Sequence, residues 1–141
     1  METPLVSEYV YDYPIAQVWE ALTGEEAMRD WYFPQLLSFK PETGYDFVFS
    51  NDGLPYQKEW RVTRVEEDRL LAHSWIYKGF PGRSEVTFEL FYEGEKTKLV
   101  LTHTGLESFP SDPHFARSRF ENGWAQILGK NLKSFLIRKI Q

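Results

Sequence analysis

The alternation of apolar and polar positions divides the chain into a strand, two short helices, a run of strands and one long helix. Leu5 to Asp12 is rich in Val and Tyr and stops before Pro14, which cannot donate to a ladder, so it predicts a first strand. Ile15, Val18, Trp19 and Leu22 then recur at the spacing of one helical stripe, with Asp12 as cap and Pro14 in the first turn. Thr23-Gly24-Glu25-Glu26 reads as a capping box, predicting a second short helix through Ala27 to about Tyr32 that Pro34 ends.

Five strands follow in the reading. Tyr45 to Ser50 leads into the turn Asn51-Asp52-Gly53, and Gln57 to Val65 leads into the charged turn Glu66-Glu67-Asp68. Leu70 to Tyr77 comes next, then the loop Lys78-Gly79-Phe80-Pro81-Gly82. Ser84 to Tyr92 alternates, with Val86, Phe88, Leu90 and Tyr92 on one face and Glu85, Thr87 and Glu89 on the other. Glu93-Gly94-Glu95 turns the chain into Thr97 to Thr104, where Leu99, Leu101 and His103 share a face. Short loops between consecutive strands predict an antiparallel meander.

The last segment reads as one long helix, capped by Asp112 with Pro113 in its first turn, along which Phe120, Trp124, Ile127, Leu128, Leu132, Phe135 and Leu136 keep the helical period. About 25 residues at 1.5 Å rise span roughly 38 Å, enough to cross a small sheet. Gly123 and Gly129 inside it each cost about 1 kcal/mol against Ala, which is explained either by close packing or by a cavity.

Length and composition sharpen this picture. One domain spans residues 1–141, and a chain of 16.7 kDa buries roughly 69% of its unfolded surface on folding. With no cysteine, disulfides, thiolate nucleophiles and Cys-based zinc sites are excluded. The aromatic share is high, with 11 Phe, 8 Tyr and 5 Trp. The net charge of −5 gives no general attraction to nucleic acid. It is unevenly spread: from Pro113 onward Arg117, Arg119, Lys130, Lys133, Arg138 and Lys139 face a single acid, Glu121. That basic segment is either a solvated helix face or a docking surface for an acidic protein partner. No apolar run reaches membrane-span length and no targeting segment is visible at the N-terminus, so a cytoplasmic protein without a membrane span is expected.

Candidate chemistry is sparse. His73, His103 and His114 have no metal spacing, there is no nucleophile elbow, and Gly79-Phe80-Pro81-Gly82 precedes no helix that would make it a phosphate loop. No metal, cofactor or catalytic residue is assigned. His103, in phase with Leu99 and Leu101, points to the apolar side, as either a bonded core histidine or a ligand-orienting group. His73 has the same standing beside Leu71 and Trp75; His114, at a helix start, is expected in solvent.

Three strings carry a resemblance that covers essentially the whole chain. Tyr13-Pro14-Ile15-Ala16-Gln17-Val18-Trp19-Glu20-Ala21-Leu22-Thr23 with Trp31, then Leu101-Thr102-His103-Thr104-Gly105-Leu106, then Gly123-Trp124 with Leu128, Leu132, Phe135 and Leu136, resemble the homologues of the activator of the heat-shock protein 90 ATPase. That family belongs to the START-like, SRPBCC superfamily with the helix-grip (Bet v 1-like) fold. The resemblance implies an α+β fold: a curved antiparallel sheet of about six strands wrapped around a long C-terminal helix, with two short helices after strand 1 and an apolar cavity between sheet and helix. The co-chaperones that name the family carry a separate N-terminal domain, whereas this sequence opens at its first strand.

Relatives of this fold include lipid and polyketide binders, cyclases and co-chaperone domains, so three readings stand. The first is binding of a small hydrophobic or aromatic molecule by Trp31, Phe47, Trp60, His73, Trp75, Phe88, His103, Phe120, Trp124 and Leu128. The second is a co-chaperone-like protein–protein module using the basic helix. The third is a cyclase- or hydrolase-type enzyme with His103 as acid or base.

Overall fold

Alternation in the two longest strands orients the whole molecule. The computed structural model describes residues 3–140; Met1, Glu2 and Gln141, included in the sequence reading, lie outside them. Strand β1 (Leu5–Tyr11) is followed by helices α1 (Ile15–Thr23) and α2 (Glu25–Trp31). A small ribbon follows, β2 (Leu36–Ser38) with β3 (Val48–Phe49). Then come β4 (Val62–Glu66), β5 (Leu70–Trp75), β6 (Ser84–Glu93) and β7 (Lys96–Thr104). Five strands form one antiparallel sheet in the order β1-β7-β6-β5-β4. Val86, Phe88 and Leu90 on β6 lie beside His103, Leu101 and Leu99 on β7, and all six side chains are buried. Tyr92 shares their face but is 77% exposed, because it lies at the hairpin end, two residues beyond Leu90.

The predicted sixth strand is present in altered form. The Phe47 amide donates to the Trp60 carbonyl at 3.0 Å and the Val62 amide to the Tyr45 carbonyl at 2.9 Å, so residues 44–47 run irregularly along 60–62. The chain then leaves to pair as β3 with β2. The long predicted strand Gln57–Val65 is also interrupted. The register of β4 against β5 shifts between Val62 and Arg64, and the Arg61 amide donates to the Ser74 hydroxyl at 2.9 Å. Before that bulge, Lys58 still bridges to Tyr77.

Three predicted helix caps differ. Asp12 does not cap α1; Pro14 precedes that helix with no side-chain cap, and the Asp12 carboxylate pairs with Lys96 at 3.2 Å. Thr23 does not close a capping box, because its hydroxyl donates back to the Trp19 carbonyl at 2.8 Å. Asp112 does accept from the His114 amide, yet it starts only one tight turn (Pro113–Phe115); Ala116 is extended, and the long helix begins at Arg117.

That helix has three parts: α3 (Arg117–Gln126), a wider π segment (Ile127–Asn131) and α4 (Leu132–Ile140). Among the side chains described in it, Phe120, Trp124, Leu128, Leu132 and Leu136 are the buried ones, four residues apart throughout. At 3.6 residues per turn such a stripe drifts by about 40° at each step. The wider turns in the middle take up that drift and keep the stripe on the sheet. A buried bond holds the segment there: the Tyr11 hydroxyl on β1 donates to the Leu128 carbonyl at 2.8 Å.

Candidate functional site

The space between sheet and helix is largely filled by rings, and Tyr32 is their hub. It follows the last residue of α2, where the backbone leaves helical geometry and turns both Trp31 and Tyr32 inward. Tyr32 stacks on Trp31 at 4.7 Å and lies 5.6–6.4 Å from Trp60, Trp75, Phe88 and Trp124. Such ring pairs add about 0.5–1.5 kcal/mol each beyond buried area. The Trp31 indole N–H donates to the Ala21 carbonyl at 2.8 Å, joining α2 to α1.

Both inward-facing histidines are fully committed. His103 Nδ1 accepts from the Trp124 indole at 3.1 Å, which leaves the proton on Nε2; that N–H meets the Ser84 hydroxyl at 2.9 Å, and Ser84 donates on to the Trp75 carbonyl at 2.7 Å. His73 has the opposite tautomer. Its Nδ1–H donates to the Ser74 carbonyl at 2.8 Å and its Nε2 accepts from the Tyr32 hydroxyl at 2.8 Å. Burial disfavours the charged imidazolium and pulls His73 down to about 4. Burial also pulls His103 down to about 3, with a smaller push from His73. Two neutral, satisfied imidazoles are structural members of the core. The rings of Trp75, Phe120 and Trp124 enclose His103 at 5.3–5.9 Å, so the acid–base reading has no support in its surroundings.

Space remains at the α3 end of the helix. A pocket of about 290 Å³ lies between α3, the end of β5 and the loops around residues 33–35 and 52–58. Trp75, Tyr77, Phe120, Trp124 and Phe33 supply aromatic wall. Gly123 supplies room: a Cβ there would meet nothing within 4 Å, whereas one at Gly129 would touch the Tyr9 ring at 3.4 Å. The two glycines thus have separate explanations, open space at Gly123 and close packing at Gly129. His114 also enters this wall, lying flat on Tyr56 with centroids 3.4 Å apart, so it is only partly in solvent.

Two buried polar atoms in these walls lack partners, the Trp75 indole nitrogen and Gln35 Oε1. The Tyr77 hydroxyl lies near enough for the Trp75 N–H to ease the upward push of burial on its phenol, but no hydrogen bond of ordinary geometry joins them. An unmet buried polar group costs about 1–3 kcal/mol, which a ligand can relieve. Trp60 Nε1 is also unmet, in the wall of an open groove of about 530 Å³ along the sheet edge. A wider groove of about 940 Å³ runs between α1, α2 and α4 and has charged walls from Glu20, Glu25, Glu26, Asp30 and Lys139.

The ten residues singled out in the sequence are therefore distributed over three places. Trp75, Phe120 and Trp124 line the small pocket; Phe47 and Trp60 line the groove at the sheet edge; Trp31, His73, Phe88, His103 and Leu128 lie in the core behind both. Tyr32, Gln35, Tyr56, Tyr77 and Arg119 escaped the sequence reading. Only Tyr32 had a visible signal there, as the middle of the run Trp31-Tyr32-Phe33.

The basic helix is partly spent within the molecule. Arg138 pairs with Asp30 at 2.8 Å, and Arg117 holds the Thr3 and Pro4 carbonyls and meets Glu121 at 3.4 Å. Among the described residues no helix is long and apolar enough to cross a membrane, and no group of three metal-ligating side chains occurs.

The sheet order, the two helices after β1 and the long closing helix agree with one family. Its profile, described as Activator of Hsp90 ATPase homolog 1-like protein, matches residues 12–136. The chain belongs to this family. Among solved structures, a Mesorhizobium loti protein is similar at 28% identity and a TM-score of 0.82, over 96% of this chain and 98% of the other. CalU16 from Micromonospora echinospora is similar at 26% identity and a TM-score of 0.69, over 94% of this chain and 73% of the other. An HSP90 activator from Plasmodium falciparum shares the fold at 19% identity and a TM-score of 0.74, over 96% of each chain. No curated protein sequence matches the chain. The Activator of Hsp90 ATPase homolog 1-like family thus fixes the helix-grip architecture here and fits a ligand-binding fold.

Proposed function

We propose that this protein binds a small hydrophobic or aromatic molecule in the pocket beside Trp75, Phe120 and Trp124. The observation that carries this reading is Gly123, a costly residue inside a helix, opposite open space and surrounded by aromatic wall. The volume of about 290 Å³ stands at the lower end of the range of roughly 300–1,000 Å³ found for small-molecule sites. It suits one or two fused rings, and a long acyl chain exceeds it. Half of the lining residues carry rings, and Gln35, Asp52, Lys58 and Arg119 add polar groups that can orient a guest. The protein–protein reading draws less support, since Arg117 and Arg138 already have partners inside the fold.

The test is a thermal-shift screen of small aromatic compounds against the wild type and Gly123→Leu. A ligand that binds only the native state, present at a hundred times its Kd, stabilises by about 2.7 kcal/mol and raises the midpoint. Gly123→Leu places a side chain in the free volume and abolishes the shift while the variant stays folded. A hit that shifts both proteins equally overturns this placement.

A further inference from the structure

We infer that the pocket takes a small aromatic acid, its ring against Trp75 and Trp124 and its carboxylate at Lys58 and Arg119. This rests on the reading of the pocket as a ligand site and adds the charge of the ligand. The chain is acidic overall, at −5, yet two cations stand at this mouth. Neither makes an ion pair among the described residues, a state they share with other surface cations such as Lys78 and Lys98; what sets these two apart is that both line one aromatic pocket.

The one carboxylate in the lining, Asp52, is engaged by its own loop. Its Oδ1 accepts from the Leu54 amide at 3.0 Å and from Gln57 Nε2 at 2.7 Å. Lys58 is half-buried, its ammonium 4.4 Å from the Phe33 ring centroid. Burial lowers its basicity, against a smaller opposite pull from the Asp52 carboxylate; partial burial, then Arg119 and Lys58, lower that of His114 against Asp112. A cation held partly out of water gains more from an incoming anion than a solvated one does.

Buried polarity agrees with that sign. The Trp75 indole is 5% exposed and offers an unmet N–H, a donor suited to a ligand oxygen. Gln35 Oε1 accepts, which suits a hydroxyl elsewhere on the ring. A neutral ligand seated in the mouth would strip water from Lys58 and return no opposite charge to it.

The experiment compares naphthalene carboxylate with naphthalene carboxamide, which match in shape and differ in charge. Binding is followed by calorimetry at neutral pH, at low and high salt, with wild type, Gly123→Leu and the double variant Lys58→Gln/Arg119→Gln. Wild type binds the acid about tenfold or more tightly than the amide, and salt narrows the gap. The double variant loses the preference and keeps its affinity for the amide, which also shows that it is folded; Gly123→Leu binds neither. Equal binding of acid and amide by wild type, or a preference that survives the double variant, overturns the inference while the pocket reading stands. If wild type binds neither compound, or Gly123→Leu binds both as wild type does, the pocket reading falls and this inference with it.

Discussion

Lowering the pH from 7 to 5 destabilises the fold by an amount set in large part by the two core histidines. In the native state His73 and His103 stay neutral down to about 4 and about 3. In the unfolded chain both titrate near 6.5. Between those values the unfolded chain binds more protons, so stability is full above about pH 6.5 and falls as pH drops towards the folded values. At pH 5 each unfolded imidazole is almost fully protonated, which favours unfolding by about 2 kcal/mol per histidine. Together they remove about 4 kcal/mol, a large part of a total of about 5–15. The exposed carboxylates of Glu25, Asp46 and Asp52 are held below their ordinary range by bonded partners, so their loss comes at lower pH; His114, whose imidazole is also lowered by partial burial, adds to the loss in the histidine window. Urea unfolding at stepped pH measures the slope, and imidazole nitrogen resonances report each ring. His103 carries its proton on Nε2 and His73 on Nδ1, and both hold those tautomers below pH 5. A urea midpoint that stays level between pH 7 and 5, or either resonance titrating near 6.5, refutes the reasoning.

Three substitutions test the rest of the fold. Gly123→Ala adds a methyl into open space at a helical position, so it stabilises by up to about 1 kcal/mol, read as a midpoint rise of a few degrees in calorimetry. Tyr11→Phe removes the donor to the Leu128 carbonyl and destabilises by about 1–3 kcal/mol in urea, with amide exchange faster through Ile127–Asn131. Gly105→Ala destabilises by more than about 2 kcal/mol in the same assay, because the residue has φ +85° and a Cβ there would lie 2.5 Å from the Arg83 carbonyl oxygen.

Periodicity carried most of the architecture and little of the pocket. The alternation along Ser84–Glu93 and Lys96–Thr104 reports which side chains face inward, because a strand's two faces see different surroundings over its whole length. The edge of the sheet was harder to read. A sequence does not show that Ser74 replaces a carbonyl as acceptor for the Arg61 amide, and that exchange breaks β4 from the run before it. The caps failed for a related reason: Asp12 and Thr23 are able to bond a helix end, but Lys96 and the Trp19 carbonyl compete for them. Burial of His73 and His103 was legible from their phase. Their partners, Tyr32 and Trp124, were not, since those approach from helices 41 and 21 residues away.

The pocket escapes sequence reading because it depends on where one helix changes pitch. Phe120, Gly123, Trp124 and Ile127 form one face of the helix at i, i+3, i+4 and i+7, and all four line the pocket. Leu128, Leu132 and Leu136 continue from that face and are sealed in the core. The wider segment Ile127–Asn131 lies at this boundary, and Tyr11 fixes it from the far edge of the sheet. Without it, a four-residue stripe would rotate off the sheet by about 40° per step, and Leu132 and Leu136 would lose their place. Trp124 stands where the two halves meet. Its N–H holds His103 in the core and its ring lines the pocket. A guest held against that ring as proposed would act on the network through Trp124, His103, Ser84 and Trp75, so that binding and core stability would be coupled through one side chain.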